Sequence, residues 1–404
     1  MDLSFLPDWP PAFSPALAVA ALALVASAAG EIAARWLHLP RMLGYLAAGA
    51  VFGAGGHLVE WLNLQPLPAP TLYGALDFAA SFILFDLGQR VSFGWLRRNP
   101  ALLGASVVEA GVTFVAVFVA MRMLDIAPLP AALIATISMS TSPPVVLALT
   151  REVRAQGQVT ERILLLTALN SIYAVLFSTL LLAWARLDTR GLLDDYLLHP
   201  AYLVFGSLAI AALGARLFHW VAGFVHHERA VQLILMLAII SIVFTLSSAL
   251  RLSPLLALLA CGAFVRAFDH GRRMASSDVG LISALALVLF FALSAATVEW
   301  QLLLGAGVPA LILALVRTFC KIAAVGALAP LTGIGWRKGI YAGIGLLPMS
   351  AIALMLTHQV TEMSPRLGAQ AGAVVLANVV AFQVIGALAL VYALRASGEA
   401  REQS

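Results

Sequence analysis

The chain is a succession of apolar runs, each near twenty residues long and separated by short polar, charged or proline-rich breaks. A helix needs about 20 residues to cross roughly 30 Å of hydrocarbon. Only helices and closed barrels satisfy their own backbone there, so the pattern predicts an all-α polytopic membrane protein. Cutting at the breaks gives about thirteen spans, from Pro15–Leu37 at the start to Leu367–Ala396 at the end. A soluble core cannot absorb 62% hydrophobic residues against 11% charged ones. For the same reason the net charge of +4 is no sign of nucleic-acid binding; the distribution of the arginines among the loops matters instead. The first run ends in Ala26-Ser-Ala-Ala29, which resembles a signal-peptide cleavage site. It is preceded, however, by Asp2 and Asp8 and by no basic residue, which is the wrong lead for a secretion signal. Cys261 and Cys320 both lie inside apolar runs and read as small hydrophobes.

Alternate loops sort by charge. Arg35 and Arg41, Arg97 and Arg98, Arg151 and Arg154, Arg229, Arg272 and Arg273, Arg337 with Lys338, and Arg395 with Arg401 fall on one side, which the positive-inside rule makes the cytoplasm. The opposite loops carry Arg122, then Arg186 and Arg190 diluted by Asp188, Asp194 and Asp195, then Arg251 and Arg366. The expectation is an outside N-terminus and an inside C-terminus.

Three ionisable residues lie deep. Arg317 and Lys321 stand on one helix face at i and i+4 within the run Leu302–Pro330, and Glu109 lies about 15 Å into its span at 1.5 Å per residue. A charge at the bilayer centre costs about 3 kcal/mol on insertion scales, so such residues face a protein interior or a wet cavity and mark ion pathways. Pairing with Arg317 or Lys321 would keep Glu109 ionised, as a salt-bridge partner or as an exchangeable acid. Asp86 comes late in its span, four residues before Arg90, and reads as one half of an interfacial pair. Asp77 and Glu60 lie nearer the outer surface, and Glu31 nearer the inner one.

Two spans are interrupted at mid-depth. Ser140-Thr-Ser-Pro-Pro144 places tandem prolines in the fifth span, removing two amide donors and forcing Pro143 out of the helical region. In the twelfth, Gly343 and Gly345 lead into Pro348. Broken backbone in hydrocarbon survives only where it lines a cavity or is buried in protein. One such helix in each half points to a transporter built from inverted repeats, with its site at the midplane. The repeats expected are about 13–186 and 227–396 within a single transmembrane domain, residues 1–396.

The segment Leu39-Pro-Arg-Met-Leu-Gly-Tyr-Leu-Ala-Ala-Gly-Ala-Val-Phe-Gly53 closely resembles the second-helix signature of bacterial monovalent cation:proton antiporters of the Kef and Nap type. Similar stretches run the whole length: Asp77 through Gly88, Leu252-Ser-Pro254 through Gly262, Phe290-Phe291, and the basic helix bearing Arg317 and Lys321. The resemblance implies a dimerisation panel, hence a homodimer, and a mobile core with two crossed, unwound helices in a bacterial cytoplasmic membrane. It implies Na+ or K+ and H+ as the transported ions and no cofactor. Only Ser397–Ser404 follow the last span, so a short cytoplasmic tail without the nucleotide-binding module usual in Kef-type relatives is expected.

The family's site pairs the crossing helices with Asn-Asp, Asp-Asp or Gln-Asp on the next helix. Here the matching stretch is Ala168-Leu-Asn-Ser-Ile-Tyr173, so the aspartate position is Ser171. A serine hydroxyl does not titrate and coordinates weakly, which makes Glu109 the candidate surrogate acid and Asp86 the weaker one. Ser140, Thr141, Ser142, Asn170 and Tyr173 are candidate neutral oxygens for an ion, although such residues also commonly glue helices together. Pro348 is followed by Met349-Ser-Ala rather than the Arg-Gly-Glu frequent in relatives.

Two readings therefore stand: cation:proton exchange by alternating access, or a diverged member without ion coupling that serves another solute or acts as a scaffold. Neither His226-His-Glu228 nor His358 converges by sequence with a nucleophile or metal ligands, so an enzyme and a metal site are not expected. Reporter fusions after Arg98 and after Asp195 should report opposite sides of the membrane, and the same side for both would overturn this topology.

Overall fold

The structure is a computed structural model that describes residues 15–54, 69–90, 99–187, 193–224, 229–269, 279–296, 306–349, 353, 357 and 365–400. His226 to Glu228, His358 and Glu60 lie outside the described residues, as does the side chain of Asp77. All regular structure among the described residues is helical: α1 (Pro15–Arg35), α2 (Arg41–Ala54), α3 (Ala69–Arg90), α4 (Pro100–Met123), α5 (Pro128–Met139), α6 (Pro143–Glu152), α7 (Gln158–Leu187), α8 (Leu193–Phe224), α9 (Arg229–Ala249), α10 (Pro254–Phe268), α11 (Val279–Ala296), α12 (Gly307–Leu328), α13 (Trp336–Gly345) and α14 (Pro365–Ala396), with a 3-10 turn at Pro330–Thr332. Eight helical stretches among the described residues are long and apolar enough to cross a membrane.

Local chemistry sets many of the boundaries. Prolines open α4, α5, α6 and α10, where a missing amide costs nothing. Ser142 and Ser253 cap α6 and α10 by accepting from the amides of Val145 and Leu256. Arginines close α1, α4, α6, α10 and α14, complementing the negative end of each helix. One boundary departs from the apolar pattern. Helix α8 begins at Leu193, ahead of the apolar run at Ala201.

The chain falls into two compact units. The first comprises Met1–Ala79 with Leu285–Trp300. Here the Leu39–Gly53 signature has a steric reason: a Cβ at Gly44 would overlap the backbone of Ala29 in α1, and one at Gly49 would overlap the carbonyl of Ala292 in α11. At the start of this unit's turn between α1 and α2, Glu31 pairs with Arg35 and with Arg41.

The second unit comprises Ala80–Ala284 with Gln301–Ser404. In it the order helix, broken helix, long helix occurs twice, as α4, α5 with α6, α7 and as α12, α13 with its broken end, α14. The stretch Pro128–Glu152 is 89% buried, against 28% for α12, so the first break is surrounded by protein, as unpaired backbone requires.

Gly49→Ala should destabilise the folded protein by roughly 1–3 kcal/mol through overpacking, read as a lowered Tm in detergent. Gly104→Ala, where a Cβ meets nothing within 4 Å, should be neutral or raise Tm by the helix preference of alanine, about 1 kcal/mol.

Candidate functional site at a helix crossing

Helix α5 stops at Met139, and Ser140, Thr141 and Ser142 are extended or irregular before α6 begins. Helix α13 stops at Gly345, and Leu347 to Met349 are likewise unwound. These two segments meet. Ser142 N donates to the Pro348 carbonyl at 2.9 Å, and Thr141 Oγ1 donates to the Leu346 carbonyl at 3.1 Å. Pro348 thus sits inside the second break, as expected. The first break corrects the sequence reading: Pro143 is helical, not expelled from the helix, and Pro143 and Pro144 occupy the first turn of α6. At that position the fixed φ of proline suits the helix and no amide bond is lost. The restriction on the residue before proline falls on Ser142, which is extended with φ −77° and ψ 103°.

A helix leaves its last four carbonyls without partners, and two such ends converge here. Arg317 answers both. Its Nε donates to the Ser138 carbonyl at 3.0 Å, its Nη2 to Ser140 at 2.9 Å and its Nη1 to Leu347 at 2.7 Å. The guanidinium also lies over the Phe382 ring of α14, 5.0 Å from its centroid. A planar fork of five donors reaches carbonyls of both segments at once in a fixed geometry. Arg317 is fully buried, and three carbonyl partners with an aromatic face replace the water it gave up.

One turn on, Lys321 is also fully buried. Its Nζ donates to Glu109 Oε1 at 2.7 Å and to the Met139 carbonyl at 3.0 Å. Glu109, equally buried, accepts at Oε2 from Asn170 Nδ2 of α7 at 2.8 Å, and Thr113 Oγ1 approaches Oε1 at 3.4 Å. Asn170 Oδ1 is buried and has no hydrogen-bond partner among the described residues. Ser171 turns its hydroxyl to the Thr167 carbonyl at 2.8 Å, with the Thr141 carbonyl 3.5 Å away. Among these buried side chains the formal charges are two positive, Arg317 and Lys321, against one negative, Glu109.

Glu109, Lys321 and Asn170 are therefore brought together, and Arg317, Thr141, Ser142, Ser171 and Pro348 surround them at the crossing. Asp86 is not among them. It accepts from Arg151 Nη2 at 2.7 Å, and Arg151 lies in the last turn of α6; the side chain of Arg90, its expected partner, lies outside the described residues. Tyr173 Oη shares a hydrogen bond with Ser106 Oγ at 2.9 Å. Cys261 and Cys320 are free and buried. Sequence reasoning missed Phe382, which carries no polar signal. It also missed Thr113, whose i+4 spacing from Glu109 was legible.

The solved structures most like this chain include the sodium proton antiporter MjNhaP1 from Methanocaldococcus jannaschii at pH 8, with a TM-score of 0.70 and 16% identity over 95% of this chain and 96% of that one. An electron-microscopy structure of the same antiporter gives a TM-score of 0.72 and 16% identity, over 97% of this chain and all of the other. At that identity the likeness is one of fold. No curated protein matches the sequence. The family model for the transmembrane region of sodium/hydrogen exchangers matches residues 20–394, and with nearly the whole chain covered and the antiporter fold in place, the protein belongs to the sodium/hydrogen exchanger family.

Proposed function

We propose that the protein exchanges a monovalent cation, Na+ or K+, for protons by alternating access, with the Glu109 and Lys321 pair as its ion and proton switch. The observation that carries this reading is a fully buried carboxylate held by an ammonium at 2.7 Å and by Asn170 at 2.8 Å, beside two broken helices. An arriving cation competes with Lys321 for Glu109. With Ser171 in place of an acid, both basic groups charged would leave a cation in a site that already holds an excess of positive charge. Release of one proton from the Glu109 and Lys321 pair offsets the incoming charge. One cation against one proton makes the exchange electroneutral. Asn170 Oδ1, Ser142, Ser171 and Thr141 are the neutral oxygens that this reading gives to the ion. The two repeats, about 13–186 and 227–396, each supply one broken helix. A homodimer in a bacterial cytoplasmic membrane, N-terminus outside and C-terminus inside, completes the proposal.

In everted vesicles an imposed pH gradient should collapse when Na+ or K+ is added, and the comparison of the two salts names the ion. Glu109→Gln should reduce this to background, at least about 100-fold below the natural protein, because it removes the carboxylate that faces the ion. Lys321→Ala should abolish the activity or shift its pH profile while membrane insertion is retained. Strong exchange surviving Glu109→Gln would defeat the assignment.

Ser171 supports a second reading, a member that has kept the fold and lost coupling. Under it the natural protein leaves the gradient intact, and Ser171→Asp, which restores an acid on α7, makes the vesicles respond to cation.

A further inference from the structure

Helix α7 carries Asn170 and Ser171, yet its first turn lacks a capping side chain of its own. The residue before it is Gly157. The cap comes instead from the far end of the chain. Glu399 Oε1 accepts from the amide of Val159 at 2.9 Å, and its Oε2 accepts from the amide of Thr160 at 2.8 Å and from Thr160 Oγ1 at 2.9 Å. The Glu399 carbonyl accepts from Gln156 N at 3.0 Å. Gly157 fits this arrangement twice over: its φ is +153°, and a Cβ there would overlap the Glu399 carboxyl carbon. Glu399 is itself fixed to α14, since Gly398 at φ +75° turns the chain back and the amides of Gly398, Glu399 and Ala400 donate to the carbonyls of Arg395 and Leu394.

The same end of α7 has a second anchor. Arg162, which feels the charge of Glu399, donates from Nη2 to the Thr332 carbonyl at 2.6 Å, in the turn that joins α12 to α13. Between these anchors and Asn170 the helix contains neither glycine nor proline, the usual causes of a kink. It therefore moves as a rod of about 15 Å at 1.5 Å per residue. The helices that bear Phe382, Arg317 with Lys321, and Asn170 are tied at this one place.

We propose that Glu399 is a positioning residue: by clamping the start of α7 to α14, it sets the axial position of Asn170 against Glu109. The functional half of this statement rests on the proposed exchange at Glu109, whereas the clamp itself can be tested without transport.

The full-length protein in lipid nanodiscs, natural and as Glu399→Ala, Glu399→Gln and Gly157→Ala, is compared by backbone hydrogen exchange. Loss of the clamp should speed exchange roughly fivefold, the equivalent of one lost helix cap, at residues 159–163 and also through 167–173. Glu399→Gln, which keeps one acceptor oxygen and is the safeguard against misfolding, should fall between. Gly157→Ala, which strains the backbone at φ +153° as well as displacing the Glu399 carboxylate, should exchange at least as fast as Glu399→Ala. In vesicles the cation KM should rise about fivefold with kcat within twofold, on the same equivalence. Faster exchange confined to 159–163, or an unchanged KM in a protein that transports, would reduce Glu399 to a local cap and overturn the proposal. If the natural protein does not transport, the exchange reading fails while residues 167–173 still decide the clamp.

Discussion

Two helices that end inside the membrane leave unpaired carbonyls facing one another, and Arg317 is the group that answers them. Its guanidinium binds Ser138 and Ser140 at the end of α5 and Leu347 beyond the end of α13, so one side chain holds both breaks in register. The backbone bonds between Ser142 and Pro348, and the contact of Thr141 with Leu346, follow from that juxtaposition. Without a cation there, two negative helix ends would meet in a medium with no water to screen them. The arginine also costs the least where it stands, because its three carbonyl partners and the Phe382 ring replace its hydration.

Lys321 plays a different part although it is one turn away. It shares the Met139 carbonyl of the same helix end but gives its shorter bond to Glu109. The deep cations therefore divide into one held by three backbone carbonyls and one paired with a carboxylate. The first keeps the crossing of the two broken helices together, and the second joins α12 to α4. Ser171 turns its hydroxyl back on the Thr167 carbonyl, so the carboxylate at this crossing comes from Glu109 on α4.

The remaining helices matter through their ends. Asp86 fastens α3 to the last turn of α6 through Arg151, and Glu399 and Arg162 fasten α7 to α14 and to the turn after α12. Hydrogen bonds to charged groups are about twice as strong as neutral ones. Placing them at helix ends, rather than along faces that lipid-like side chains already fill, fixes helix positions where apolar packing alone is permissive.

Much of this was legible in the chain. Runs of twenty apolar residues dictate membrane helices because hydrocarbon thickness fixes their length. The prolines and glycines mark both breaks, and the rarity of charge in such runs singles out Arg317, Lys321 and Glu109 without any structure. The sequence also carried the family resemblance. Three-dimensional packing alone decided the pairings: that Glu109 meets Lys321 while Arg317 takes carbonyls, that Asp86 reaches Arg151, that the break falls before Pro143, and that Glu399 caps a helix 239 residues away. The physical reason is that hydropathy, helix breaking and capping preference act within a few residues along the chain. A salt bridge or a borrowed cap depends on which helices are neighbours, and their order in sequence does not record that.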